Sequence, residues 1–312
     1  MSPADERFRP LDRCTATLAT DPFLELGDGA LLQVTPQVFG GSDAGEIPAV
    51  VDNWTFFGGA LSALAVVSSS GSKVHGTAVM LAPGLAATAT HVIQDDLDAL
   101  GDGDAQALLL APTGGGMDLW KVSGVTATAS EITYLSVTLA SDIDADWSIR
   151  VVPCTTRSPA IGESVHIVGF RVEDDDVLRT SADLTIRGDL YTATGTVQEV
   201  FPEGRDNLLV NYPAFQVDCG SLGGMSGGAV IDSTGHLLGL ISRGFTSEDG
   251  RGPTYASWIV GALPYPVTIM WPAGLGKPTC AVFDLPADYF PLQGREHVTL
   301  LGDLKFSYRP WP

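Results

Sequence analysis

The sequence predicts an all-β protein built from antiparallel barrels or sandwiches, and three observations support this fold class. The chain of 312 residues is 45% hydrophobic and only 17% charged, which is enough apolar sequence to bury a large core. Its 36 glycines and 20 prolines accompany abundant valine, threonine and serine, a composition typical of short strands joined by tight turns. Strand-like runs also recur at short intervals, with no long amphipathic helix between them.

Residues 1–53 mix short apolar pieces with glycine and proline breakers, so we expect an irregular amino-terminal leader that packs on the domain. Regular patterning begins near Trp54. A β-meander is predicted at residues 60–69, 74–82 and 85–90, with Pro83-Gly84 as the tight turn between the last two runs. Further strands are predicted at residues 107–111, 119–127, 132–139, 147–152, 164–170, 183–186, 193–199, 208–210, 228–231, 237–242 and 254–257.

The formal net charge of −20 at pH 7 disfavours binding to nucleic acid or to anionic membranes. Residues 1–10 are charged and broken by prolines, without the apolar core of a secretory signal. The apolar stretches at 60–67 and 259–271 are too short or too interrupted by proline to cross a bilayer. We therefore expect a cytoplasmic protein with no nucleic-acid partner and no membrane partner.

Cysteine and histidine spacing gives no sign of a metal site. Four cysteines are widely separated in the chain: Cys14, Cys154, Cys219 and Cys280. They show no CxxC spacing, so free thiols are expected, with disulfides as the alternative. The acidic run from Asp95 to Asp104 lacks the ligand spacing and final glutamate of an EF-hand, which favours a solvated loop. No metal and no cofactor are predicted.

The candidate nucleophile is Ser226, which lies among four glycines in the stretch 223–228, just ahead of an apolar run. Glycines permit positive φ angles and close approach of a substrate, and successive N–H groups can then point at one developing oxyanion. A serine hydroxyl alone is a weak nucleophile, so it requires a histidine base and a carboxylate that orients the histidine.

Candidates for both partners precede the serine in the chain. His91 directly follows the small residues at 88–90, at the end of the third predicted strand, where a barrel mouth would hold its imidazole. Asp146 leads the apolar strand that begins at Trp147. Asp142 and Asp144 are nearby rivals, and the Trp-Ser-Ile-Arg continuation favours Asp146.

Together these stretches resemble the chymotrypsin/trypsin-like serine proteases. Residues 76–91 are similar to the region around the catalytic histidine of that family, residues 146–151 to its aspartate-led strand, and residues 224–228 to its nucleophile motif. The resemblance covers residues 57–262. It implies a chymotrypsin-like double barrel, that is, two antiparallel six-stranded β-barrels over residues 54–262, with residues 263–312 as a carboxy-terminal extension.

The resemblance also implies roles for individual residues. His91 would be the general base and acid, Asp146 the carboxylate that orients it, and Ser226 the nucleophile that is acylated. The N–H groups of Gly224 and Ser226 would form the oxyanion hole. The implied activity is that of a serine endopeptidase acting on a protein or peptide substrate.

A substrate cleft is implied by the same resemblance. Residues 240–244 are similar to the strand beside the primary specificity pocket, so the backbone of Ser242 and Gly244 would pair with an extended peptide. Arg243 lies between them, where it would disfavour a basic side chain.

The base of the specificity pocket falls at Gly220 and Ser221, and neither residue carries a carboxylate. A buried cation needs such a partner, so we expect cleavage after apolar or small uncharged residues and not after Lys or Arg. Asp218 is close enough in sequence to be the alternative pocket carboxylate.

Met225 stands where the secreted digestive enzymes of the family carry an aspartate that pairs with a newly cut amino terminus. Activation by amino-terminal cleavage is therefore not expected, and the pattern is closer to bacterial, HtrA-like members. An alternative function is a catalytically silent or latent protease-fold scaffold. The Gly-x-Ser-x-Gly pattern also fits the α/β-hydrolase elbow, but here a strand follows the serine where that fold needs a helix.

The segment 263–312 contains many aromatic side chains among its prolines. So much aromatic surface is expected to be covered, either by packing on the barrels or by docking a partner protein.

Overall fold

The computed structural model describes residues 14–17, 34–36, 45–51, 58–113, 116–142, 147–171, 177–179, 183–186, 188–245, 251–272 and 279–311. In chain order, its first strands are β1 Cys14–Thr17, β2 Val34–Pro36, β3 Ala49–Val50, β4 Leu61–Ser68, β5 Gly71–Ala82, β6 Leu85–Ala89, β7 Ala105–Pro112, β8 Met117–Ala127 and β9 Ile132–Leu139. They are followed by β10 Ile149–Val151, β11 Cys154–Thr155, β12 Ser164–Arg171, β13 Val177–Arg179, β14 Asp183–Ile186, β15 Asp189–Phe201, β16 Ala214–Val217, β17 Ala229–Asp232, β18 Leu237–Gly244, β19 Thr254–Trp258, β20 Pro266–Val267, β21 Cys280–Ala281, β22 Leu292–Gln293, β23 Val298–Gly302 and β24 Lys305–Tyr308.

Helical structure in the described residues is short. The α-helices are α1 Thr90–Ile93 and α2 Leu97–Asp102, and 3₁₀ turns occur at Gln94–Asp96, Ile259–Ala262, Val282–Asp284 and Arg295–His297. We expected the acidic run from Asp95 to Asp104 to be a solvated loop. Most of it instead lies in helical turns that follow β6. Among the residues described, no helix has both the length and the apolar character needed to cross a membrane.

The amino-terminal barrel is closed by β4, β5, β6, β9, β8 and β7 in that order, with every neighbouring pair antiparallel. Side chains on both faces of β4 are buried. Alternate residues along a strand point to opposite faces, and here the two sets pack in different core clusters. Leu64 belongs to a core cluster that also contains Ile93 of α1 and Trp271, whereas Leu61 belongs to the larger cluster that continues into the second barrel. The turn between β5 and β6 places Gly84 at a φ of 70°, which suits glycine.

The carboxy-terminal barrel is closed by β12, β15, β16, β19, β18 and β17, again with antiparallel neighbours throughout. Strand β17 closes the ring because it pairs with β12 on one edge and with β18 on the other. Two closed, six-stranded antiparallel barrels confirm the predicted all-β, chymotrypsin-like fold. The described pieces of the leader, which we expected to be irregular, contain three short strands: β1 pairs with β14, β2 with β10 and β3 with β15.

One predicted strand is wrong. The apolar run at 208–210 forms no strand, and its Leu208 side chain is 87% exposed. The cause lies two residues earlier, where Asp206 Oδ1 accepts the N–H groups of Leu208 at 2.9 Å and of Leu209 at 2.6 Å. A carboxylate that binds nearby backbone donors stabilises a turn in competition with strand pairing.

The described part of the carboxy-terminal extension packs on both barrels. Trp271 is 2% exposed, and its ring meets that of Trp120 edge-on, with 5.0 Å between centroids, in the amino-terminal barrel. On the other barrel, β22 pairs with β11, and Trp311 Nε1 donates to Thr156 Oγ1 at 2.9 Å. Phe290 is fully buried. The extension therefore completes the core, as expected from its aromatic side chains.

Two of the cysteines are buried free thiols, Cys154 and Cys219. Burial raises the pKa of Cys219 to about 12, so it remains a thiol at neutral pH. The side chain of Cys14 lies outside the described part of the chain.

Replacing Trp271 by alanine should destabilise the protein by about 3–5 kcal/mol, because it removes a large ring from a site that cannot collapse around the loss. Denaturant unfolding followed by circular dichroism measures this change. Met270→Ala is the matched control, since its side chain is 68% exposed and its loss should cost less than about 0.5 kcal/mol. Equal unfolding free energies for the two variants would contradict a core role for the extension.

Candidate active site

His91 lies at the junction between barrel strand and helix. Strand β6 ends at Ala89 and helix α1 begins at Thr90, so the histidine stands on the first helical turn, at the end of a barrel strand. Its side chain is 37% exposed. The ring nitrogen Nδ1 lies 2.8 Å from Glu131 Oε1, and the His91 N–H donates to the same oxygen at 3.2 Å. One carboxylate thus holds both the ring and the backbone of the candidate base.

Glu131 is a site residue that the sequence analysis missed. It directly precedes β9, and β9 pairs with β6 so that Ile132 lies opposite Ala89. The Glu131 carbonyl accepts the Thr90 N–H at 3.1 Å, which continues this pairing up to the histidine. An acidic residue just ahead of a strand that pairs with the histidine strand was the available signal. Asp146 and its rival Asp144 lie outside the described residues, so the assignment of Asp146 stays a prediction.

The Glu131 carboxyl is ionised at neutral pH. Burial acts to raise its pKa, but the side-chain and backbone hydrogen bonds from His91, together with electrostatic attraction to His91 and Arg243, outweigh that effect, and the pKa lies below its usual value. A charged carboxylate beside Nδ1 can stabilise an imidazolium, as a general base requires.

Ser226 stands on the turn that leads into β17, with its side chain half-buried. Gly227 follows it with a φ of 81°, and a Cβ there would lie 2.2 Å from Thr88 Oγ1. A Cβ on Gly76 would meet both the Ser226 carbonyl oxygen, at 2.7 Å, and Val92 Cγ1, at 2.8 Å. The serine turn therefore packs directly on the segment that carries His91, and glycine is required at both contact points.

The backbone around the serine carries two unused donors. Within the part of the chain that the structure describes, neither the Gly224 N–H nor the Ser226 N–H donates to another residue. The intervening Met225 N–H donates to the Leu222 carbonyl at 3.1 Å. Thr77 Oγ1 donates to the Gly224 carbonyl at 3.1 Å, which anchors the turn. Two such N–H groups beside a serine can donate hydrogen bonds to a developing oxyanion.

The hydroxyl of Ser226 and the imidazole are not hydrogen-bonded to each other among the described contacts. Such bonds are often long in a free enzyme and tighten when substrate binds. The structure thus brings the two segments together, with Nδ1 occupied and Nε2 left as the ring atom for proton transfer.

The predicted cleft residues lie at the end of β18. This strand pairs with β17 only as far as Leu240, whereas its other edge pairs with β19 up to Gly244. Ser242 is fully buried, accepts from Tyr212 Oη at 3.0 Å and donates to the Tyr255 carbonyl. Among the described strands, residues 242–244 therefore keep one edge unpaired, which is the edge that an extended peptide would need.

The pocket residues Gly220 and Ser221 are both buried, and the Gly220 N–H donates to the Glu46 carbonyl at 2.9 Å. The rival carboxylate, Asp218, is engaged elsewhere. Its Oδ2 accepts from Gln198 Nε2 at 2.8 Å, and its Oδ1 accepts the Thr196 N–H. These contacts direct the Asp218 side chain toward β15.

A cavity of about 910 Å³ adjoins His91 on its helix side, lined in part by Lys73, Asp95 and Asp96. His75 Nδ1 lies 3.6 Å from Asp96 Oδ2 in the same wall. The acidic run is thus placed next to the candidate base. Among the residues described, no group of three or more metal-ligating side chains is found.

A family model described as "Trypsin-like peptidase domain" matches residues 76–240, which is more than half of the chain. The match spans His91, Glu131 and Ser226. The chain belongs to the trypsin-like peptidase family. No curated protein matches it in sequence.

Several solved structures have a similar fold. One is the HtrA-type protease AlgW with a tripeptide, with 20% identity, coverage of 64% of this chain and 56% of that one, and a TM-score of 0.42. Another is Deg5, with 15% identity, coverage of 65% and 84%, and a TM-score of 0.45. A third is an inactive form of Rv3671c from M. tuberculosis H37Rv, with 15% identity, coverage of 64% and 80%, and a TM-score of 0.38. The chain spans only 56% of the length of the AlgW structure.

Gly227→Ala should destabilise the protein by at least about 2 kcal/mol, because the new Cβ meets Thr88 in a backbone conformation that disfavours side chains. Thermal and denaturant unfolding measure the change. Gly223→Ala in the same turn is the control, since nothing lies within 4 Å of its Cβ position. If both variants unfold like the wild type, the serine turn is not packed on the histidine segment.

Proposed function

We propose that this protein is a serine endopeptidase that cleaves peptide bonds through an acyl-enzyme, with Ser226 as nucleophile and His91 as general base. One observation carries the proposal: the serine turn, with two N–H groups that donate to no other residue in the described part of the chain, packs through Gly227 and Gly76 on the segment that holds the histidine. Membership of the trypsin-like peptidase family supports the same reaction.

The proposed reaction uses each of these groups in turn. His91 Nε2 takes the proton of Ser226 Oγ as the oxygen attacks the substrate carbonyl, and the Gly224 and Ser226 N–H groups bind the resulting oxyanion. The imidazolium then protonates the leaving amine, and the C–N bond breaks to leave an acyl-enzyme. A water molecule, deprotonated by His91, attacks the ester and releases the acid together with the free serine.

The proposed substrate is an extended peptide that adds as a strand to the open edge of residues 242–244. The residue before the cleaved bond would enter the pocket at Gly220 and Ser221, where no carboxylate supports a basic side chain. Arg243 Nε is bound to the Leu209 carbonyl at 2.8 Å, which keeps a positive charge beside the cleft.

The enzyme is proposed to act in the cytoplasm without amino-terminal processing. Met225 is fully buried, and its sulfur accepts the Leu222 N–H at 3.3 Å. A thioether in this position offers no charge to a new amino terminus, so the turn is ordered by its own contacts. We also propose that a partner protein docks on the exposed surface of the extension. The buried aromatic side chains of the extension do not take part, since they are packed on the barrels.

Ser226→Ala and His91→Ala should each reduce turnover of a peptide substrate by about 10⁴-fold or more, because the members of such a site act as one unit. A fluorophosphonate probe should label the wild type and neither variant. Ser70→Ala and His236→Ala, both outside the site, are controls that should label like the wild type. Absence of labelling in every form would instead support the silent-scaffold alternative.

Profiling of a peptide library by mass spectrometry should show cleavage after apolar or small uncharged residues, with Lys and Arg strongly disfavoured. Asp218→Ala should leave this profile unchanged, since the carboxylate is bound to Thr196 and Gln198. Dominant cleavage after Lys or Arg, abolished in Asp218→Ala, would overturn the assignment of the pocket.

A further inference from the structure

We propose that Glu131, and not Asp146, is the carboxylate that positions His91 for catalysis. The inference rests on the proposed function for its chemistry, but its central contact can be tested without activity. It makes Glu131 a positioning residue, since it acts on the substrate only through the imidazole.

The contact geometry is the first support. Glu131 Oε1 is 2.8 Å from the ring nitrogen Nδ1 of His91 and 3.2 Å from the backbone nitrogen of the same residue. Because both donors belong to His91, the shared oxygen fixes the ring relative to its own backbone. A proton held on Nδ1 by this carboxylate leaves Nε2 unprotonated, which is the tautomer that a general base needs.

The backbone of Glu131 is the second support. Its φ of 57° lies in the left-handed region, which disfavours a glutamate. The surrounding contacts impose this conformation, since the Glu131 carbonyl accepts the Thr90 N–H, and Thr133 Oγ1 donates to Thr90 Oγ1 at 2.9 Å. Backbone strain of this kind persists where the surrounding structure holds it, and it concentrates at functional sites.

The charge environment is the third support. The Glu131 side chain is 16% exposed, so it is largely shielded from water. The titratable or charged side chains that act on it are His91, Arg243 and Tyr212, from helix α1, strand β18 and the segment before β16. Arg243 is itself held by the Leu209 carbonyl. The hydrogen bonds from His91 do most to lower the pKa of the Glu131 carboxyl, and the positive charge of Arg243 on β18 adds a smaller effect in the same direction.

The position of the residue that follows Asp146 is the fourth support. Trp147 Nε1 donates to Asp118 Oδ2 at 3.0 Å. Asp118 lies near the start of β8, at the end of the barrel where Trp120 of β8 pairs with Leu139, the last residue of β9. Glu131 precedes the opposite end of β9. An eight-residue strand such as β9 spans about 26 Å, at roughly 3.3 Å per residue, so the described neighbour of Asp146 is anchored at the barrel end away from His91.

The spectroscopic test uses the ring N–H proton of His91 in full-length protein. In proton NMR, an Nδ1–H donated to a carboxylate gives a downfield resonance, and His91→Ala identifies it. We expect this resonance in the wild type, in Ser226→Ala and in Asp146→Asn, and its loss in Glu131→Gln. Retention in Glu131→Gln together with loss in Asp146→Asn would overturn the proposal, whether or not the protein cleaves peptides.

The kinetic test compares the same two substitutions. Glu131→Gln should lower kcat by about 10³–10⁴-fold with little change in KM, whereas Asp146→Asn should stay within about threefold of the wild type. Glu131→Asp keeps the charge and should recover part of both the rate and the resonance, and it serves as the readout if Glu131→Gln does not fold. Equal activity of Glu131→Gln and wild type would refute the positioning role, whereas an inactive wild type that retains the resonance would refute only the proposed peptidase function.

Discussion

The turn at Ser226 and Gly227 is hydrogen-bonded to both barrels at once, and the geometry of the site depends on this double anchorage. The Ser226 carbonyl accepts the Thr77 N–H of the amino-terminal barrel at 2.8 Å, while the Gly227 N–H donates to the Ile241 carbonyl of the other barrel at 2.8 Å. Thr77 Oγ1 also accepts the Phe170 N–H at 2.8 Å. Because the bonds converge on adjacent residues, a shift of one barrel would move the serine relative to the histidine.

A second connection between the barrels is electrostatic. His91 and Glu131 belong to the amino-terminal barrel, and Arg243 belongs to β18 of the carboxy-terminal barrel. Hydrogen bonds from His91 do most to hold the pKa of the Glu131 carboxyl below its usual value, and the positive charge of Arg243 adds to that effect. The end of β18 therefore acts on the carboxylate beside the proposed base, which links the predicted cleft to His91.

The carboxy-terminal extension reinforces the pair of barrels from outside the cleft. Trp271 packs with Trp120 on one barrel, whereas Tyr308 meets Trp258 edge-on, with 5.3 Å between ring centroids, on the other. The Tyr265 hydroxyl accepts the Ala129 N–H at 2.9 Å, two residues before Glu131. The extension thus buttresses the turn that presents this carboxylate to the histidine, far along the chain from the nucleophile.

The sequence by itself determined the all-β class, the glycine turn at Ser226 and the placement of His91 after a strand, because composition, alternation and φ freedom are local properties. It could not determine which carboxylate faces the histidine. The local pattern favoured Asp146 over Asp142 and Asp144, and it did not bring Glu131, which precedes Ile132, into consideration. The contact between Glu131 and His91 spans 40 residues and arises from the register of β6 and β9. Register is decided only when a barrel closes and its side chains pack, and for that reason only the tertiary structure revealed the contact between Glu131 and His91.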